Sequence, residues 1–274
     1  MMEDAHLFSI TFSFFPEQEF YITCYSGVFA AKLFYDLLNQ VGIVFNKNAV
    51  KPFSITPLES MRRGLIISEK WVKIFPNEGL SFTVNTNDQT LVRKLLNAME
   101  GVKSLNEPCG TMQFTGATLK MSKIQKPGLD GWPREGRWRD YRLKVDFITP
   151  TRFRMRGHEI VYPSHVRFMR AVAKTFYEVT GVDTRKVVNP LVLSNMELTK
   201  NITRKLTLDI GKERGYTRKV SGFIGTAEYI LHLKEPLYEQ IKPLLNVAEI
   251  MGVGANKSLG FGRIRVLEFN ESGT

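Results

Sequence analysis

A glycine-rich segment near the C-terminus has the residue types and spacing for contact with phosphate groups. It reads Gly252-Val-Gly-Ala-Asn-Lys-Ser-Leu-Gly-Phe-Gly262, which is neither a dinucleotide-binding fingerprint nor a P-loop. Glycine allows positive φ angles, and consecutive amide groups in such a turn can form an anion-binding concavity. We therefore predict phosphate contacts from Gly252, Gly254, Asn256, Lys257, Ser258, Gly260 and Gly262. The alternative is a structural turn before an edge strand.

Cations interleaved with aromatic residues indicate a nucleic-acid surface in the second half of the chain. Cations bind an RNA backbone, and aromatic rings can stack on unpaired bases. The candidates are Arg152, Arg154 and Arg156, Arg167 and Arg170 on a predicted helix, and Arg214, Arg218 and Lys219 in a predicted hairpin. If their strand continues that far, Arg152, Arg154 and Arg156 share one face of it. Trp132 and Trp138 also lie among arginines, but for Trp138 packing at a domain junction is the preferred interpretation.

The positive charge is concentrated in the C-terminal half. The 274 residues carry a formal net charge of +11. Residues 1–133 contain 13 basic and 12 acidic residues, whereas residues 134–274 contain 25 and 15. This asymmetry favours a polyanionic partner for the second half, although solvated surface lysines would give the same composition.

Composition and motifs exclude several classes of protein. With 43% hydrophobic residues, two cysteines and no apolar run of membrane-spanning length, we expect a soluble, reduced, cytoplasmic protein. Cys24 and Cys109 lack metal-ligand spacing, and no zinc, calcium or two-metal carboxylate motif is present. We expect neither a metal nor another cofactor.

The elements that must position these residues occur twice in the same order. Each half reads β-α-β-β-α-β, which is the order of a ferredoxin-like unit. Between the halves, residues 126–136 contain three glycines and two prolines, a composition typical of a linker. The sequence predicts an α+β fold with two tandem ferredoxin-like domains, residues 1–133 and residues 134–274.

The chain resembles the RAMP (repeat-associated mysterious protein) superfamily, in particular the CRISPR-associated endoribonucleases that cut precursor CRISPR RNA. The resemblance is carried by Ile250–Val266, Ser221–Tyr229, Thr149–Arg156 and Lys51–Ile55, and it is strong only from about Tyr141 to Phe269. It implies two tandem ferredoxin-like domains, in agreement with the element order. It also implies a metal-independent attack of a ribose 2′-OH on the adjacent phosphate.

The resemblance implies catalytic residues only in part. Many members use a Tyr on the first helix, a His in the following loop and a Lys before the next strand. Here Tyr35 and Lys51 match, and Lys32 shares the polar helix face with Tyr35. The His is missing, and the nearest reactive side chain in that loop is Lys47. Tyr35, Lys51 and Lys32 are the catalytic candidates, and an ordinary solvated helix face is the alternative for Tyr35 and Lys32.

Three functional hypotheses remain open from the sequence. The first is an endoribonuclease that binds repeat RNA in precursor transcripts and cleaves it, acting as a monomer or homodimer. The second is a non-catalytic RAMP protein or CRISPR effector-complex subunit that only holds the RNA. The third is an unrelated ferredoxin-like RNA-binding module, which leaves the match at Gly252–Gly262 unexplained.

Overall fold

The N-terminal part of the computed structural model is a seven-stranded antiparallel sheet with two helices. The structure describes residues 5–45, 51–99, 101–107, 110–125, 136–185, 188, 192–213 and 216–272. The strands of the sheet are β1 (Ala5–Pro16), β3 (Phe53–Ile55), β4 (Glu59–Ser60), β5 (Gly64–Leu65), β7 (Leu80–Thr86), β8 (Ser104–Glu107) and β9 (Gly110–Ile124), and β2 (Phe20–Ile22) pairs with β6 (Val72–Ile74) in a separate ribbon. The helices are α1 (Ser26–Gln40) and α2 (Gln89–Met99).

The hydrophobic pattern of β1 explains why one face of this sheet carries helices. Phe8, Ile10, Phe12 and Phe14 alternate along the strand and are buried, while the intervening Ser and Thr residues are half-exposed. The apolar stripe of α1, which includes Leu33, Phe34, Leu37 and Leu38, packs in the same core. Burying these side chains removes apolar surface from water, and that transfer is the main force holding helix to sheet.

Among the residues that the structure describes, the C-terminal part has a four-stranded antiparallel sheet and two helices longer than 15 residues. Its strands are β10 (Trp138–Thr151), β13 (Met196–Glu213), β14 (Tyr216–Lys234) and β15 (Ile264–Glu271), and β11 (Phe153–Met155) pairs with β12 (His158–Ile160) separately. The helices are α3 (His165–Thr180) and α4 (Glu235–Met251). Strand order is β13-β14-β10-β15. The corresponding N-terminal order is β4-β7-β1-β9, so both sheets place the first strand between the third and the fourth. The prediction of two tandem ferredoxin-like domains is confirmed.

The residue types predict N-caps at Ser26, at Asn87 or Asp88, and at Ser164, and a helix end at Gly181, and all but the first are confirmed. The Asp88 carboxylate accepts from the Leu91 amide (3.0 Å), Ser164 accepts from the Arg167 amide, and Gly181 ends α3 with φ 72°. Ser26 was expected to cap α1, and that prediction is wrong. The cap position is Tyr25, and the Ser26 hydroxyl donates to the carbonyl of Ile66 instead.

The long β13–β14 hairpin joins the two halves. Leu208 and Val220 on this hairpin pack with Tyr25 and Phe261 in a small buried cluster. The Tyr25 amide donates to the Asp209 carbonyl (2.8 Å), and the Tyr25 hydroxyl donates to the Gly260 carbonyl (2.8 Å). The start of α1, the hairpin and the glycine-rich segment therefore meet at one point.

The predicted domain boundary and three of the candidate residues named from the sequence lie outside the described residues. The predicted boundary between residues 133 and 134 falls within residues 126–135, which lie outside the described residues, as do Trp132, Arg214 and Lys47. Within the described part of the chain, no helix combines the length and apolar character needed to cross a membrane.

Candidate nucleic-acid interface

A basic cleft of about 610 Å³ lies where the glycine-rich segment faces α3 and the start of β3. The N-terminal domain contributes Lys51 and Phe53 to its lining. The C-terminal domain contributes α3, the residues of β11 and the backbone of residues 254–258. Side chains from both domains therefore face one concave surface, as expected for a ligand site between domains.

The cations of this cleft come from three elements. Arg167, Arg170 and Lys174 follow one another at i, i+3 and i+7 on α3, which places them on one helix face. Arg154 comes from β11 and Lys51 from the residue before Pro52 and β3. The carboxylate among the lining residues is Glu178. The cleft thus has a strong excess of positive charge, which suits the phosphates of an RNA strand.

The glycine-rich segment is wedged between the two domains. A Cβ atom on Gly254, which has φ +83°, would lie 2.3 Å from the carbonyl oxygen of Arg152. A Cβ atom on Gly260 would lie 2.9 Å from the Cα atom of Gly27 at the start of α1. Glycine is required at both positions because the backbones approach too closely for any side chain.

Part of the amide array in this segment faces the cleft without a protein partner. The amides of Val253, Ala255, Leu259, Gly260 and Gly262 donate to carbonyl groups. For the amides of Gly254, Asn256, Lys257 and Ser258, no acceptor is found among the described residues. These residues line the cleft, so the predicted anion-binding role belongs to the stretch 254–258 and not to the whole segment.

Lys257 anchors the segment to α3. Its Nζ atom donates to the Thr175 hydroxyl (3.1 Å) and to a Glu178 carboxylate oxygen (3.0 Å), and Thr175 donates in turn to the Gly252 carbonyl (3.1 Å). Burial lowers the pKa of Lys257, although the neighbouring Glu178 opposes that shift. The sequence predicted a phosphate ligand here, and the structure shows an ammonium group that already has a carboxylate partner.

The structure places one of the three catalytic candidates in the lining of the cleft. Lys51 lines the cleft, and its Nζ atom lies 5.6 Å from the centre of the Phe45 ring. Tyr35 is half-buried with its ring against Phe53 (6.1 Å between centroids), and burial raises the pKa of its hydroxyl. Lys32 lies on the exposed face of α1 and interacts electrostatically with Cys24. Of the three, Lys51 alone is a lining residue of the cleft.

The expectation that Arg152, Arg154 and Arg156 share one exposed face is wrong. Arg152 falls between β10 and β11, is 1% exposed and pairs with Glu159, because its carbonyl must approach Gly254. Arg154 lines the cleft, whereas Arg156 lies in the tight turn between β11 and β12 with φ +47°. The alternation fails because Arg152 lies in the break between β10 and β11, and Arg156 lies in the two-residue turn that follows β11.

The remaining predicted cations lie on the hairpin. Arg218 is near enough to Arg152 to lower the pKa of that guanidinium, although burial contributes most to the shift. Lys219 lies 4.0 Å from the Asp209 carboxylate. Trp138 is 45% exposed and stacks on His232 (5.0 Å), so the expectation that it is buried at the domain junction is wrong.

Sequence reasoning missed the residues that hold the glycine-rich segment in place. Thr175 and Glu178 were not identified, although both lie on the same face of α3 as Lys174 and Ala171. Helical spacing was the available signal, since polar residues at i, i+1 and i+4 beside an apolar stripe can reach a neighbouring loop. Within the described residues, no cluster of three or more metal-ligating side chains is found.

Comparison with known proteins confirms the resemblance stated from the sequence. The family model of the CRISPR-associated endoribonuclease Cas6 matches residues 145–264. No sequence among the curated proteins matches the chain.

Solved structures of low sequence identity share the fold. The Cas6 of Thermus thermophilus has a TM-score of 0.65 at 17% identity, covering 97% of this chain and 99% of that one. A Cas6 product complex has a TM-score of 0.63 at 18% identity, covering 95% and 99%. An RAMP protein that binds different RNA substrates has a TM-score of 0.50 at 14% identity, covering 95% and 100%. The likeness extends over the whole chain, beyond the residues that the family model matches.

Proposed function

We propose that this chain is a CRISPR RNA-processing endoribonuclease of the Cas6 type, which binds repeat RNA in precursor transcripts and cuts it without a metal ion. The observation that carries the proposal is the cleft in which Lys51 of one domain faces the glycine-rich segment and the arginines of the other. The part of the chain that matches the Cas6 family model includes α3, β14 and the glycine-rich segment up to Gly262.

The proposed reaction is an internal transesterification. The ribose 2′-oxygen attacks the adjacent phosphorus, its proton passes to a base, and the bond from phosphorus to the 5′-oxygen breaks. The departing 5′-oxygen takes up a proton, which leaves a 2′,3′-cyclic phosphate and a 5′-hydroxyl. Such a reaction needs a proton acceptor, a proton donor and positive charge at the phosphorane.

The side chains of this chain divide those tasks unevenly. Lys51 supplies positive charge to the phosphorane, since its ammonium group lies in the cleft. Because burial raises the pKa of Tyr35, its hydroxyl stays protonated at neutral pH and suits a donor better than a base. Lys32 and the cations of α3 orient the RNA. Without a histidine among the lining residues, we expect a slow enzyme.

Cleavage of a synthetic repeat RNA in the presence of EDTA tests the proposal. The repeat sequence is taken from a CRISPR array of the same genome. We expect one cut that leaves a cyclic phosphate, and no cut when the scissile nucleotide carries a 2′-deoxyribose. Cleavage that requires a divalent ion, or that tolerates the deoxy substitution, would falsify the mechanism.

A second candidate function is favoured by the missing histidine. A non-catalytic RAMP protein or effector subunit that holds CRISPR RNA would keep the basic cleft and the glycine-rich segment. It predicts salt-sensitive binding of the repeat RNA with no product after long incubation. Equal binding of random RNA would instead indicate a general RNA-binding module.

A further inference from the structure

The small ribbon formed by β2 and β6 presents a face of exposed aromatic rings outside the cleft. Tyr21, Trp71 and Phe75 are 51%, 72% and 41% exposed. Trp71, Lys73 and Phe75 alternate along the chain, and Lys73 pairs directly with Tyr21 in the strand register. Trp71 and Phe75 lie directly before and after β6, and the Lys73 ammonium lies over the rings of Tyr21 and Phe75, so these three side chains share one face. Alternation along the chain predicts the same face for Trp71. We call this face the aromatic stripe.

The opposite face of the ribbon is anchored in the core. Phe20, Ile22 and Ile74 are all buried there, and the Phe20 ring stacks on Phe29 of α1 (5.6 Å). The buried Glu78 carboxylate accepts from the Phe75 amide (3.1 Å) and from Arg63 (2.8 Å). The exposed rings are therefore held on a rigid support, which reduces the entropy lost when they bind a ligand.

Cations lie between the rings of the stripe. The Lys73 Nζ atom is 5.9 Å from the centre of the Tyr21 ring and 5.4 Å from that of Phe75, and the Arg63 guanidinium is 5.6 Å from Phe75. Lysine is depleted at the centre of protein–protein interfaces, whereas aromatic rings interleaved with cations are typical of surfaces that bind single-stranded nucleic acid.

Each of the three nearby carboxylates has a partner, which is a cation for Glu78 and Glu19 and a backbone amide for Glu69. Glu78 is buried with Arg63, Glu19 pairs with Lys73 (2.8 Å), and Glu69 accepts from the Thr207 amide on β13 (3.2 Å). Arg62 and Lys70 at the margin of the stripe are exposed, and neither pairs with a carboxylate among the described residues. The surface can therefore accept a polyanion.

The stripe lies beside the junction that the glycine-rich segment makes with α1. The chain runs from β2 to Tyr25, whose hydroxyl donates to the Gly260 carbonyl (2.8 Å). The other side of the ribbon reaches the hairpin through Glu69 and Thr207. The ribbon is therefore connected both to the start of α1, which contacts the glycine-rich segment, and to the hairpin.

We propose that the aromatic stripe is a second RNA-binding site, at which Trp71 and Phe75 stack on unpaired bases of the strand held in the cleft. The inference rests on the proposed function, since it assigns to the same RNA a contact outside the cleft. Its ligand is single-stranded RNA of any sequence, because every base offers a face for stacking.

Fluorescence of Trp71 tests the inference directly. The chain has three tryptophans, so the variant carrying both Trp132→Phe and Trp138→Phe retains Trp71 alone. We expect quenching of Trp71 on titration with the repeat RNA or with a single-stranded oligouridylate, and little quenching by a fully paired RNA duplex. Binding is followed in parallel by the anisotropy of a label on the RNA.

Substitutions separate stacking from a structural role. Trp71→Ala should weaken single-stranded RNA binding about 5-fold to 150-fold, the range that follows from losing one base–aromatic stack. Trp71→Phe should restore most of it, and Leu267→Ala, which truncates an exposed apolar side chain on β15, should leave binding unchanged.

The outcomes distinguish this inference from the proposed function. If RNA binds by anisotropy while Trp71 fluorescence and the affinity of Trp71→Ala stay unchanged, the stacking site is overturned and the proposed function stands. If no RNA binds by either measurement, both fail. A change of Trp71 fluorescence with protein concentration in the absence of RNA would assign the stripe to self-association and would also overturn the inference.

Discussion

Lys51 connects the near-neutral N-terminal half to the reaction. Among the described residues it is the cation of that domain that lines the cleft, and its Nζ atom lies 5.6 Å from the centre of the Phe45 ring. An ammonium group with one side against a ring and the other toward a concave basic surface is suited to bind a phosphate oxygen.

Replacing Lys51 should therefore impair cleavage more than binding. We expect Lys51→Ala to slow single-turnover cleavage of the repeat RNA by about 10²–10³-fold, the usual loss when one group that stabilises transition-state charge is removed. Affinity should fall much less, since the cations of α3 remain. Lys94→Ala, an exposed lysine on α2, is the matched control. Equal rates for Lys51→Ala and the unaltered chain would remove Lys51 from the reaction.

The role of Lys257 is a structural one in this arrangement. We expect Lys257→Met to lower the free energy of unfolding by about 1–3 kcal/mol, because it removes the shorter of the two ion pairs of Glu178 (3.0 Å, against 3.6 Å for Lys174) and the donor to the Thr175 hydroxyl. The double variant Lys257→Met with Glu178→Met should recover much of that loss in chemical denaturation. No recovery would show that the pair does not hold the segment to α3.

The sequence predicted the residue type and setting of Lys257 but did not predict its partner, Glu178. The type of residue 257 and its glycine-rich surroundings were sufficient to predict a loop that contacts an anion. Glu178 lies 79 residues away in the chain, and nothing in the spacing of either residue pairs them. Charge compensation between distant residues depends on the tertiary fold, and local patterns do not contain it.

At the scale of elements, the glycine-rich segment needs glycine for two reasons. Some of its residues have positive φ angles, and some also lie too close to a neighbouring backbone to carry a side chain. Gly254 and Gly157 have nearly the same φ, +83° and +84°. Around a Cβ atom on Gly157 there is open space, whereas one on Gly254 would meet the Arg152 carbonyl at 2.3 Å. A side chain at Gly157 would therefore cause conformational strain alone, whereas one at Gly254 would cause the same strain and a steric clash.

Alanine at these two positions should therefore have different effects. Gly157→Ala should cost about 1–2 kcal/mol, the strain of placing a side chain at positive φ. Gly254→Ala should lower the free energy of unfolding distinctly more, because the glycine-rich segment must move away from the Arg152 carbonyl. The same movement should also impair RNA binding. Thermal unfolding and the RNA affinity of both variants provide the comparison. Similar losses for the two would show that the segment can shift without consequence.

The elements themselves were largely predictable, and their junctions were not. β-forming residues over Leu7–Phe15 predict a strand, and apolar residues at helical spacing from Ala30 to Val41 predict a helix, and both are confirmed. The cap at Ser26 was wrong because its hydroxyl binds the Ile66 carbonyl of a distant loop. The shared face of Arg152, Arg154 and Arg156 was wrong because the strand is interrupted to receive Gly254. Both errors occur where the two domains or their loops meet.

At the scale of the whole molecule, the interface between domains positions the cleft. The Tyr25 hydroxyl donates across that interface to Gly260, and the Tyr229 hydroxyl makes a comparable buried bond to the Pro163 carbonyl (3.1 Å) within the C-terminal domain. Both hydroxyls are deeply buried, and that burial strongly raises their pKa, so both stay protonated and can donate at neutral pH.

Removing each hydroxyl should separate domain orientation from simple stability. Tyr25→Phe and Tyr229→Phe should each lower the free energy of unfolding by about 1–3 kcal/mol, because a buried carbonyl loses its donor. Tyr25→Phe should in addition weaken RNA binding and slow cleavage, since the glycine-rich segment loses its tie to α1. If both variants bind RNA equally well, the tie does not position the cleft.

Part of the positive charge of the C-terminal half lies at the cleft. The basic half provides Arg154, Arg167, Arg170 and Lys174 at the cleft, and the near-neutral half adds Lys51. Each lysine or arginine that neutralises a phosphate of a single strand contributes about −0.7 to the slope of log Kobs against log salt concentration. The slope therefore counts the phosphate contacts that the arrangement implies.

The salt dependence of RNA binding should distinguish cations that contact phosphate from those that hold the fold. We expect Arg154→Ala and Lys51→Ala each to make the slope less steep by about 0.7, since each removes one contact to a single strand. Lys257→Met should weaken binding without changing the slope, because the charge of Lys257 is already balanced by Glu178. Lys94→Ala should change neither quantity. A slope that falls for Lys257→Met as it does for Arg154→Ala would show that Lys257 leaves Glu178 when RNA binds and contacts a phosphate itself, as its place in the sequence first indicated.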